Sequence, residues 1–173
     1  MTSILKVTEI QDPTNSNTAL SIDSSGRVLF PQIPCACVTL TTSNTQDTSN
    51  PYSTTSADIL FDKIAVNQCS VYNSSNGRFT APIAGIYEFS YTFLKDQGSS
   101  ANVTFVDVYK NGSQYTSAGA RAYDENPTDY GNMSQSFLIS LAANDYLTLQ
   151  LVGGGIYINT NGIYTSVFFK LVG

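Results

Sequence analysis

Tyr87, Phe89, Tyr91 and Phe93 fall at every second position of one stretch, with Glu88, Ser90 and Thr92 between them. A period of two marks an antiparallel strand with one face buried and the other wet. It also fixes the register, because a slip of one residue would carry all the rings to the polar side. Upstream, Pro82 and Gly85 stand where the chain must turn into this strand. A proline cannot feed a central ladder, and a glycine permits a tight approach or bend.

The same reading extends over most of the chain. Alternating or apolar runs predict strands near 59–66, 71–73, 77–80, 85–94, 103–109, 113–122, 133–141, 146–152 and 163–172, spaced as in an all-β sandwich. Asn111-Gly112 and Asn161-Gly162 are hairpin signals, since both residue types tolerate the positive φ of a type I′ turn. The Ser-, Thr- and Asn-rich segment 41–56 predicts a long surface loop. No helical or heptad period is sustained.

Composition removes several function classes. The chain has no His, which takes away the commonest general base, the Ser-His and Cys-His pairs and the imidazole metal ligands. Asp and Glu show no spacing like that of a catalytic pair, so the chain is expected not to be an enzyme and to need no cofactor. With eight Lys and Arg against thirteen Asp and Glu, it offers no footprint for nucleic acid. Cys35, Cys37 and Cys69 are odd in number and lack zinc-like spacing, so they read as small apolar side chains. No apolar run reaches the length of a membrane span, and Met1–Lys6 lacks the apolar core of a secretion signal. The expectation is a protein made in a cytoplasm without Sec export and not inserted in a membrane.

Residues 1–34 differ from the rest and predict an arm ahead of a 35–173 body. Two short alternating runs, 4–10 and 19–22, are followed by Asp23-Ser24-Ser25-Gly26 and then Val28 and Phe30, which read as small strands round a turn. A hairpin of this size is not stable alone and must dock on something, so Ile4, Leu5, Val7, Leu20, Ile22, Val28 and Phe30 are the candidate anchoring residues.

In the body, one apolar face is marked by Phe137, Ile139 and Leu141, by Leu147, Leu149 and Leu151, and by Val167, Phe169 and Leu171. Ile86, Val106, Val108, Tyr109, Tyr164 and Phe168 fall on the opposite faces of their strands, more apolar surface than a lone sandwich would show to water. A symmetric oligomer interface would cover it; a single-chain core with two buried sides is the other reading. Strand faces alone do not separate the two, and Tyr87, Phe89, Tyr109, Tyr164 and Phe168 are the candidates for the seam.

The ordered combination Phe61-Asp62-Lys63-Ile64, Asn67, Tyr72-Asn73, Gly77-Arg78-Phe79-Thr80-Ala81-Pro82 and Gly85-Ile86-Tyr87-Glu88-Phe89 resembles the C1q-like domain. Val106–Gly112, Leu141–Leu149 and Ser166–Leu171 continue the resemblance, which covers about residues 35–173. It implies a ten-stranded jelly roll of the tumour necrosis factor type, packed as a tight homotrimer, that binds ligands through loops and outer faces and is no enzyme. Two features depart from the pattern: Phe169 stands where a glycine is usual, and no Gly-X-Y stalk is present. The segments Ile4–Val7 and Ala19–Val28 resemble the N-terminal segments of tailed-phage virion proteins, notably aquatic ones. That resemblance implies a virion-surface protein, a head fibre, capsid decoration or tail-fibre module, tethered to other virion proteins by its arm and meeting a host glycan or protein. The alternative is a soluble C1q/TNF-like recognition ligand with a receptor or glycan partner. The acidic loop Asp124, Glu125 and Asp129 is a candidate Ca²⁺ or glycan site or a solvated turn; no metal is assigned to it.

Overall fold

The computed structural model describes residues 7–11, 18–30, 32–96, 103–123 and 129–173. Among them there is no helix, and the chain divides into two compact units, Met1–Ile33 and Pro34–Gly173.

The first unit is a three-stranded antiparallel sheet of β1 (Glu9–Gln11), β2 (Thr18–Ile22) and β3 (Val28–Leu29). Its β2–β3 turn is organised by one carboxylate. Asp23 Oδ1 accepts the Ser25 and Arg27 amides at 2.8 and 3.0 Å, and Oδ2 pairs with Arg27 Nε at 2.7 Å. An aspartate bonding to backbone two residues on is the local signal that stops a strand and reverses it. Ile4 and Leu5, at the head of the proposed anchor, lie outside the described residues.

The second unit holds β4 (Cys35–Thr39), β5 (Lys63–Gln68), β6 (Tyr72–Asn73), β7 (Arg78–Thr80), β8 (Gly85–Lys95), β9 (Val103–Lys110), β10 (Ser113–Tyr123), β11 (Gly131–Leu141), β12 (Tyr146–Gly153) and β13 (Thr165–Leu171). They form two five-stranded antiparallel sheets, β11-β8-β13-β4-β5 and β10-β9-β12-β7-β6. The order is that of a jelly roll. The alternation that predicts β8 decides what lies between the sheets: Tyr87, Phe89, Tyr91 and Phe93 are all buried there. Phe79 of β7 meets Phe89 of β8 edge to face at 5.3 Å, joining the two sheets in one core. Phe169 lies in the same core, its ring stacked on Tyr87 at 4.8 Å, so the bulky closing-strand residue fills space between the sheets.

Three expectations are corrected. The strand predicted from residue 59 begins at Lys63. Ile59 and Phe61 instead sink into the core, and the Tyr72 hydroxyl serves Phe61 in place of a ladder, accepting its N–H at 2.8 Å and donating to its carbonyl at 3.0 Å. Val106 and Val108 face inward, because their register partners across β12 are the core residues Leu151 and Leu149. Asn111-Gly112 does form the expected turn, with φ of 52° and 80°. At Asn161-Gly162 only the glycine has positive φ, at 68°, and its amide donates to Asn159 O and Oδ1. This segment is a turn held by an asparagine side chain, not a two-residue hairpin.

The polar segment 41–56 is a loop built by its own side chains. Asn44 is buried and its Nδ2 donates to the carbonyls of Thr41 and Asp47. Gln46 Oε1 accepts the Tyr52 hydroxyl at 2.6 Å, which satisfies a buried phenol.

Candidate interaction surface

Strand register places the outward side chains of the β11-β8-β13-β4-β5 sheet in rows. One row runs Val66, Cys37, Phe168, Ser90, Ser136, and the next runs Gln68, Cys35, Lys170, Glu88, Leu138. Ile86 stands beyond Glu88 on the same strand face. Leu138, Phe168, Val66 and Ile86 are all exposed, Leu138 at 64% and Phe168 at 48%. Serines and threonines surround them on the β8, β11 and β13 side, and Cys35, Cys37, Glu88 and Lys170 on the other.

Phe168 separates two depressions. One, of about 310 Å³, is lined by Cys35, Cys37 and Val66, with Glu88 and Lys170 at its polar side. The other, of about 280 Å³, is lined by Ser90, Thr92, Ser134, Ser136 and Ser166. Burial raises the Cys37 thiol above its ordinary range, so this thiol is less readily ionised than a free cysteine. Close to where β11 and β13 begin, Tyr157 stacks edge to face on Tyr130 and Tyr164, at 5.4 and 4.9 Å. Tyr130 and Tyr164 are themselves exposed.

The predicted seam residues do not stay together. Tyr87 and Phe89 are fully buried inside the sandwich and have no surface to give a neighbour, so they are core residues. Tyr87 also has its hydroxyl committed, donating to Ile83 O at 2.8 Å. Tyr109 lies opposite Thr148 on the outer face of the other sheet, away from Phe168. Phe168 and Tyr164 are exposed, Phe168 on the sheet face and Tyr164 just ahead of β13. Leu138 and Val66 stand exposed on the same face as Phe168 without being among the predicted seam residues; Leu138 is an apolar residue on the polar phase of a strand that otherwise shows serines there.

The outer face of β10-β9-β12-β7-β6 differs in kind. Gln114 Nε2 donates to Asp107 Oδ2 at 2.6 Å, Gln150 Nε2 to Asp58 Oδ1 at 2.9 Å, and the Arg78 guanidinium lies 4.0 Å above the Tyr146 ring. At one end, Asp145 clamps two turns. It accepts Asn111 Nδ2 at 2.7 Å and the Ala142 amide at 2.9 Å, and pairs with Lys110 at 3.0 Å. These partners, Asn111 first, hold its carboxyl down to about 2 from an ordinary 3.8.

Of the acidic loop, Asp124 and Glu125 lie outside the described residues. Asp129 is exposed, and its carbonyl accepts Lys95 Nζ at 2.9 Å. Among the described residues no group of three or more His, Cys, Asp or Glu is placed to hold a metal ion.

Two apposed five-stranded sheets in this order, with a hydroxyl-rich outer face studded with apolar side chains, define a jelly roll of the C1q/TNF class. Residues 41–169 match the C1q domain family, and the chain belongs to that family. It is 35% identical over 123 residues to mouse collagen alpha-1(X) chain, covering 69% of this chain and 16% of that one. It is 31% identical over 106 residues to human complement C1q tumor necrosis factor-related protein 2, covering 61% and 33%. The chain thus spans only a small part of these relatives. Among solved structures, the globular domain of zebrafish complement 1qA superposes with a TM-score of 0.59 at 10% identity, over 80% of this chain and 96% of that one. The Eiger TNF of S. frugiperda does so with 0.63 at 11% identity, over 82% and 94%.

Proposed function

We propose that the protein is a homotrimeric, non-enzymatic recognition module of the C1q/TNF type. Its β11-β8-β13-β4-β5 sheets turn towards one another, and its loops and remaining outer faces are left to bind a receptor or glycan. One observation carries this reading: the outer face of that sheet exposes Phe168, Leu138, Val66 and Ile86 together, while the opposite outer face exposes Val152 and pairs Gln114 with Asp107 and Gln150 with Asp58. Fully burying each such side chain is favourable by about 1.5–3 kcal/mol, which gives association a driving force concentrated on one face. A threefold contact is heterologous, so Phe168 of one copy meets different residues of the next, and the depressions on either side of it are receptive surface. The C1q-family match and the TNF-like neighbours support the reading. Light scattering on the purified chain at micromolar concentration tests it: a trimer is expected, and Phe168→Asp is expected to give a monomer that is still folded.

A second reading concerns where the module works. The first unit is compact and separate from the jelly roll, which favours a segment that docks and tethers. The larger body would be a tailed-phage particle, with the module displayed on the virion surface, for adhesion or stabilisation. The matched relatives are animal chains and support the soluble-ligand form of the proposal instead. Deleting residues 1–33 separates the two. Lost particle attachment with a retained trimer supports the tether, and unaltered ligand binding with no particle partner supports the soluble ligand.

A further inference from the structure

The sheet of residues 9–29 is amphipathic in a way that its own unit does not resolve. Ile10 pairs with Leu20, Ile22 pairs with Val28, and Leu20 and Ile22 alternate onto one side of β2, so all four project from the same face. Phe30, two residues beyond Val28, continues the alternation. Val28 is 51% and Phe30 58% exposed. Two of its three strands have only three and two residues, so the sheet holds little core of its own and this face gains from a cover.

We propose that the cover is the same face of the other copies, so that the three small sheets pack together into a second, minor core. The proposal rests on the trimeric reading above. Area decides for sister copies over a foreign partner. Half-exposed aliphatic and aromatic side chains present about 50–100 Å² each, so the face offers roughly 300–400 Å² per copy. That is well short of the about 800 Å² per partner of a free-standing specific interface. Among three copies it removes roughly 1,000 Å² from water, and those copies are already joined. Only residues 30–34 link β3 to β4, a reach of at most about 20 Å. Because β4 belongs to the sheet that carries the exposed apolar face, the sheets would meet at an effective concentration in the millimolar range. A face too small to capture a partner from solution is sufficient under that condition. Attachment to any larger body would then run through residues other than this face.

The test uses the full chain carrying Cys35→Ser, Cys37→Ser, Cys69→Ser and Val28→Cys, oxidised with copper–phenanthroline at several protein concentrations. Its control carries the three Cys→Ser substitutions alone, and light scattering is run in parallel. The expected result is a trimer mass and a disulfide-linked dimer joined at position 28. It should hold up to about two-thirds of the chains, because a threefold set pairs only two of its three members at once. Its yield should not depend on concentration, and adding Ile10→Asp should lower it at least tenfold while the trimer mass persists. A trimer mass with no linked dimer above the control, a dimer yield that rises with concentration, or a yield unmoved by Ile10→Asp overturns this inference and leaves the trimeric reading intact. A monomer mass overturns both.

Discussion

The two outer faces of the sandwich come from the same alternation, yet they are finished differently. On β10-β9-β12-β7-β6 the outward polar groups find one another: Gln114 with Asp107, Gln150 with Asp58, Arg78 over Tyr146. Val152 of β12 is the one large apolar side chain of its strands that stands exposed there among the described residues, at 49%. On β11-β8-β13-β4-β5 Phe168, Leu138, Val66 and Ile86 stand exposed among serines, threonines, cysteines and the Glu88 and Lys170 side chains. Hydrophobic side chains scattered singly on a surface need no explanation, but several on one face and few on the other mark that face for a partner. Outward residues compared sheet against sheet therefore say more about assembly than total apolar content does.

The comparison can be broken or sharpened by substitution. The largest effect is expected in the core that both sheets share. Phe89→Ala should cost about 3–5 kcal/mol in urea unfolding, because it opens a cavity among Phe79, Tyr91 and Phe169. Had Phe89 belonged to the seam, its loss would instead weaken association and leave the unfolding of the monomer unchanged. Next, Leu138→Asp should raise the trimer dissociation constant by roughly 30-fold or more, read by sedimentation equilibrium, by placing a charge where water is excluded. Tyr109→Ser, on the opposite sheet, should leave the mass unchanged, and a monomer there would erase the distinction between the faces.

The smallest effect concerns Asp145. Its carboxyl is lowered in the folded chain, so it contributes stability above its ordinary value near 3.8, and that contribution is lost as pH falls towards about 2. Its side chain is 19% exposed and that of Lys110 30%, and solvent screening at this rim keeps the effect small. Melting curves from pH 5 to pH 2 should fall slightly less steeply for Asp145→Asn than for the parent chain, while the trimer mass at neutral pH stays the same.

Much of the fold was legible because the rings at 87, 89, 91 and 93 allow only one register, and the Asn111-Gly112 turn allows only one hairpin. Places where side chains replace the ladder were not legible. Nothing in the sequence says that the Tyr72 hydroxyl will serve Phe61, or that Asn159 will hold the turn at Gly162. Which of the predicted seam residues stay on the surface was half legible for a related reason. Periodicity tells that Tyr87 and Phe168 lie on opposite faces of neighbouring strands, but which face is inside depends on the second sheet, and only the pairing of Val106 and Val108 with Leu151 and Leu149 settles the inward side of β9. Leu138 was passed over because its neighbours Phe137 and Ile139 supplied the expected apolar phase.

Light scattering of the full chain near 1 µM tests the central claim most directly. The account predicts a mass three times the 18.7 kDa of one chain, falling to a single folded chain with Phe168→Asp. A parent protein that runs as one chain, its exposed Phe168 and Leu138 left to water, would contradict it.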